Sequence, residues 1–180
     1  MNRFFQFIIA LASISLISCS PSYKPFTVDL QESYDWTEDE LKKIQFYLSQ
    51  DIVLQRNLSR GESVIEGGKI QVKEGRRIEE VKIPSGTPGV LMFMPKPNRL
   101  AISFERGKDK FLMFGPHPKW DGKYVLLGSD WDKRSGEVTY QGKKYHTSSR
   151  SAYASLMVDL ERVSKVSLAR HTAKGRTVRK

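Results

Sequence analysis

The chain has 180 residues, 39% of them hydrophobic, and a formal net charge of +10. That hydrophobic content is too high for a disordered chain, and the length suits one ordinary domain or two small ones. Cys19 is the only cysteine, which excludes an intramolecular disulfide and a multi-thiolate metal centre.

Arg3 precedes an apolar run that extends from Phe4 to Ile17. A bilayer-crossing helix needs about 20 apolar residues. This run is shorter and closes on small residues, as an export signal does. Its last four residues are Leu16, Ile17, Ser18 and Cys19. They resemble the lipobox of bacterial lipoproteins: a branched apolar residue, a tolerant position, a small residue, then cysteine. The resemblance implies that residues 1–18 are a lipoprotein signal peptide, cut between Ser18 and Cys19. It also implies diacylglycerol on the Cys19 thiol and a new amine open to acylation, so that the chain takes up palmitate-type lipid. Two or more acyl chains hold a protein stably on a membrane. Ser20 stands where aspartate is a retention signal in some Gram-negative bacteria. The same resemblance therefore implies delivery to the outer membrane, with the body facing the periplasm.

Residues 19–36 contain Pro21 and Pro25 and little periodicity, and read as the lipidated cysteine followed by a tether. Thr37 and Glu40 have the spacing of a capping box. Leu41, Ile44, Tyr47 and Leu48 follow at helical spacing, which predicts one amphipathic helix over 38–49.

Beyond Asp51 the pattern changes to period two or to short apolar runs. Strands are expected over 52–58, 69–72, 78–83, 90–94, 100–105, 111–114, 124–127, 138–140 and 144–146. Gln141-Gly142 suits a tight hairpin, where Gly accepts positive φ. Residues 154–166 fit a long strand or a helix. The expectation is a mainly β domain over 37–166 with one N-terminal helix. The stretch Ile83-Pro84-Ser85-Gly86-Thr87-Pro88-Gly89-Val90, followed by the alternating Leu100 to Glu105, resembles the loop-and-strand pair of SH3-like barrels. It implies a small SH3-like or related β-barrel.

Residues 167–180 form a basic tail. From Arg162 onward, Lys165, Arg170, Lys174, Arg176, Arg179 and Lys180 occur without one acidic residue, so the body is nearly neutral. Arg170, Lys174, Arg176, Arg179 and Lys180 are candidates for contact with an anionic surface. A solvated chain end has the same composition.

Chemistry-bearing motifs are sparse. His117, His146 and His171 lack the local spacing of a zinc site. Asp130 and Asp132 are spaced like the opening of a calcium loop, but Arg134 and Ser135 occupy the next ligand and glycine positions. A turn built on hydrogen-bonding side chains fits this segment better. Glu79-Glu80 and Asp159/Glu161 are acidic pairs whose separation in space sequence does not define. Trp120, Trp131 and Tyr124 lie near Asp121, as in a sugar or peptide platform, though such rings more often serve a hairpin core and rim. No cofactor motif is present.

These features point to an envelope lipoprotein with a non-catalytic binding or structural role. Its expected partners are the membrane, through lipid on Cys19, and an envelope protein or glycan; nucleic acid is not expected. The alternative is a lipoprotein enzyme that acts on cell-wall glycan or peptide through scattered carboxylates and His117 or His146.

Overall fold

A computed structural model describes residues 22–61, 68–73 and 76–163. The stretch read as a tether contains regular structure. Tyr23–Pro25 forms a strand, β1, and Phe26 beside it is fully buried. The Phe26 ring meets Phe46 edge-on at 5.2 Å and lies 4.9 Å from Tyr124. Thr27 then caps a helix over Val28–Tyr34 (α1), its hydroxyl accepting from Leu30 N at 3.1 Å. Asp35 ends that helix in the left-handed region, φ 45°. Most of the stretch read as tether is therefore part of the fold.

The capping box forms at Thr37 and Glu40, but the helix that follows, Glu38–Leu41 (α2), lasts one turn. The expected helix over 38–49 is replaced in its second half by Phe46–Leu48, a strand, β2. Phe46 and Leu48 are both buried and Tyr47 between them is not. That alternation is the strand period, and it prevails because the two inward side chains find the core that Phe26 and its neighbours supply.

The alternating segments form strands where they are expected. Ile52–Asn57 is β3, Lys69–Lys73 is β4 and Arg76–Ile83 is β5. A turn in which Thr87 N bonds Pro84 O leads into Pro88–Lys96, β6. Arg99–Ser103 is β7, Leu112–Pro116 is β8 and Tyr124–Leu126 is β9. Ser135–Tyr140 (β10) and Lys143–Ser148 (β11) are joined by Gln141 and Gly142, at φ 50° and 67°, as a type I′ turn requires. A 3-10 turn over Ser149–Tyr153 precedes Leu156–Asp159, β12. The chain turns helical at Leu160. Strand and helix therefore share the described part of the 154–166 segment, residues 154–163.

These strands build two antiparallel sheets, not the single small barrel expected from the turn resemblance. One sheet has the order β1-β12-β2-β6-β7-β8-β9, the other β10-β11-β3-β5-β4. The larger sheet curls until its β9 edge approaches the segments beside β1 and β12. Leu126 N bonds Ala154 O and Tyr124 N bonds Phe26 O, but only isolated bridges, Thr27–Lys123 and Val125–Ser155, join them. A barrel needs a continuous ladder there, and the three-residue strands are too short to supply one.

The core contains inward residues of both sheets, including Ile52, Leu54, Val81, Ile83, Leu100, Ile102, Phe114 and Tyr145. Along β3 and β5 the inward row ends in charge. Arg56 and Glu79 face one another across the strands, with Nε 2.5 Å from Oε2, and Tyr145 OH donates to the same carboxylate at 3.1 Å. Glu79 is fully buried, so this pairing is what makes its burial tolerable. Burial pushes the Tyr145 phenol up to about 12.

Candidate functional site

The β6–β7 hairpin turns through Pro97 and Asn98, with Asn98 at φ 60°. Proline first and positive φ second make a type II turn. The Asn98 side chain is held by Tyr124 OH, 3.1 Å away. The flanking residues, Lys96 and Arg99, are paired directly across the two strands. Like charges in that relation repel. Among the described residues neither makes an ion pair with a carboxylate. Arg99 lies across Gly115 of β8, where any Cβ would run into its guanidinium.

Lys96 and Arg99 border a cleft of about 460 Å³ between the sheets. Its apolar lining comes from Phe111, Leu112, Met113, Leu127 and Val138. The carboxylate in the lining, Glu137, is paired with Lys144 at 2.6 Å. Cations thus remain at one side of an apolar surface, and the local acid is neutralised. The arrangement suits holding an anionic group whose remaining surface is apolar.

A second surface feature is aromatic. His117 stacks on Trp120 at 4.5 Å, and Trp120 stacks on Tyr153 at 4.3 Å. The turn holds itself together: Lys119 N donates to His117 Nδ1 at 3.2 Å and Trp120 N to His117 O at 3.1 Å. Of the three aromatics grouped with Asp121 in the sequence, only Trp120 joins this stack. Tyr124 is fully buried. Trp131 lies over Gly136 and Gly128, where its ring occupies the space a Cβ would need. The platform composed of Trp120, Trp131 and Tyr124 therefore does not form.

The remaining expected groups are also separated. His146 borders a different, small cleft of about 280 Å³ with Arg134 and Gln55. Asp132 Oδ1 accepts from the backbone N–H groups of Arg134 and Ser135, each at 2.6 Å, so the expected hydrogen-bonded turn is present. Glu79 points into the core while Glu80 bonds Gln55 at 2.6 Å on the other face. Asp159 accepts from Glu161 N at 3.1 Å, a local contact. Among the described residues no group of three or more His, Cys, Asp and Glu side chains could hold a metal ion. No helix among them is long and apolar enough to cross a membrane.

Ser18, Cys19, His171 and the tail residues Arg170, Lys174, Arg176, Arg179 and Lys180 lie outside the described residues. Sequence reasoning missed the Lys96/Arg99 cleft. Its visible signal was a Pro-Asn turn between two cations. Comparison with protein-family models, with curated proteins and with solved structures finds no match.

Proposed function

We propose that the chain is a lipid-anchored protein of a bacterial envelope with a non-catalytic binding role. Cys19 carries the anchor, on the outer membrane facing the periplasm, and the inter-sheet cleft receives the partner. The observation that carries the binding role is the Lys96/Arg99 pair, two cations opposite one another beside an apolar lining whose carboxylate is already neutralised. A like-charge pair costs stability unless something anionic is drawn to it. The anchor rests on the lipobox resemblance at Leu16-Ile17-Ser18-Cys19.

The test places a photoreactive residue at Met113, on the cleft lining, in cells that make the full precursor. A discrete envelope component should crosslink, and Arg99→Ala together with Lys96→Ala should abolish that product. A crosslink pattern unchanged by the double substitution would remove the cleft from the proposal.

A further inference from the structure

Three residues, Ser20, Pro21 and Ser22, separate Cys19 from the first strand residue, Tyr23. Four residue steps span at most about 14 Å even when fully extended. A lipid on Cys19 therefore holds β1 close to the bilayer and restricts which face of the body can meet it. This argument rests on the lipoprotein reading above.

The strand register shows what lies beside β1. Residues directly opposite one another in an antiparallel pair share a face. Pro25 pairs with Met157, Met157 with Tyr47, and Tyr47 with Pro88. Tyr23 shares this face with Pro25, and Val90 shares it with Pro88 by the period of two. Burial confirms the direction: Phe46, Leu48, Leu156 and Val158 point inward, and these residues do not. The outer face thus carries a band of Tyr23, Met157, Tyr47, Pro88, Val90 and Met92 across four neighbouring strands. Tyr23, Val90 and Met92 are 40%, 45% and 47% exposed. At the far end of the band Val90 and Met92 line a groove of about 640 Å³ with Phe104 and Arg106. At the near end Tyr23 and Tyr47 are 4.4 Å apart, and Arg162 stands beside Asp159 with its side chain 71% exposed.

We infer that this outer face of the seven-stranded sheet is a membrane-docking surface, which lies on the bilayer that the Cys19 lipid enters. Tyrosines favour the depth of the head groups, where ring and hydroxyl each find a suitable medium. Val90 and Met92 reach further toward the acyl chains. Arg106 and Arg162 meet anionic head groups. The short link makes docking effectively intramolecular, so a weak surface suffices. An apolar band whose Tyr23, Val90 and Met92 are exposed, on a protein otherwise rich in charge, is accounted for by such contact.

The test uses the full precursor processed in its own cells, with lipidation occupying Cys19. Met92→Cys and, in a second variant, Lys133→Cys in the loop before β10 are labelled with a nitroxide in native membranes. Accessibility to oxygen and to an aqueous nickel chelate is then measured. The label at 92 should lose collision with the chelate and gain collision with oxygen, and the label at 133 should do the reverse. If Cys19 is lipidated and the label at 92 still collides freely with the chelate, docking is wrong and the anchor stands. If the label at 92 is shielded from both reagents, a protein partner or a second copy covers the band, and docking is equally wrong. If Cys19 itself takes up nitroxide, the lipoprotein reading falls and this inference falls with it.

Discussion

The guanidinium of Arg99 rests on Gly115, which stands one step beyond the Leu100–Phe114 pair on the neighbouring strand. The absent side chain at 115 is what lets Arg99 lie at the border of the cleft, and Leu127 closes over the same space. Gly115→Ala should therefore act on binding more than on folding. The arginine terminus can swing away, so the stability loss should stay near the lower end of the roughly 1–3 kcal/mol that overpacking costs. Crosslinking from Met113 should fall as far as it does in Arg99→Ala. A variant that keeps full crosslinking would show that the arginine position does not matter.

The buried Arg56–Glu79 pair gives a prediction of the opposite kind, large in stability and silent in binding. Removing one partner leaves the other charge buried, which costs about 3–5 kcal/mol. Arg56→Met should lower the denaturant midpoint by that equivalent without changing the slope. Tyr145→Phe removes one hydrogen bond to Glu79 and should cost nearer 1 kcal/mol. Equal effects from the two substitutions would contradict the assignment of the pair as the main support of Glu79.

Asp51 and Lys82 link the fold to pH. Lys82 Nζ, 2.6 Å away, and then Ser85 N–H hold the Asp51 carboxyl below the usual range, and Asp51 in turn raises Lys82. Asp132 is lowered by the N–H of Ser135 and then that of Arg134. A depressed carboxyl contributes stability above its unfolded value, about 3.9 for aspartate, and loses it as pH falls through the folded value. A raised lysine contributes below its unfolded value, about 10.4, and loses the contribution as pH rises through the folded one. Asp51→Asn should therefore flatten both limbs of a stability-against-pH curve, modestly because the pair is exposed. Asp132→Asn should flatten only the acid limb. Melting temperatures from pH 2 to 11 separate the two patterns.

Much of the β architecture was legible because its strands declare themselves locally. Ile52, Leu54 and Arg56 alternate with outward neighbours, and Gly142 signals its hairpin by a positive φ that few other residues accept. What failed was short or non-local. Tyr23–Pro25 and Phe46–Leu48 have three residues each, too few to show a period, and the spacing of Leu41, Ile44 and Leu48 satisfies a helix as readily as it does a turn and a strand. Two sheets instead of one barrel is a matter of pairing between distant strands, which no turn sequence encodes. The cleft was invisible for the same reason: Lys96 and Val138 come to line one cleft only after both sheets form.

The anchor is the premise of the docking face and of the envelope setting in which the cleft is proposed to bind. It is tested most directly by growing cells that express the full precursor with an alkynyl palmitate, then comparing wild type with Cys19→Ser. The account predicts label on the wild type, in a species shortened by residues 1–18 and found with outer membranes. In the variant it predicts no label and an unprocessed precursor. Labelling that survives Cys19→Ser, or a wild type that takes up no lipid, would contradict the account.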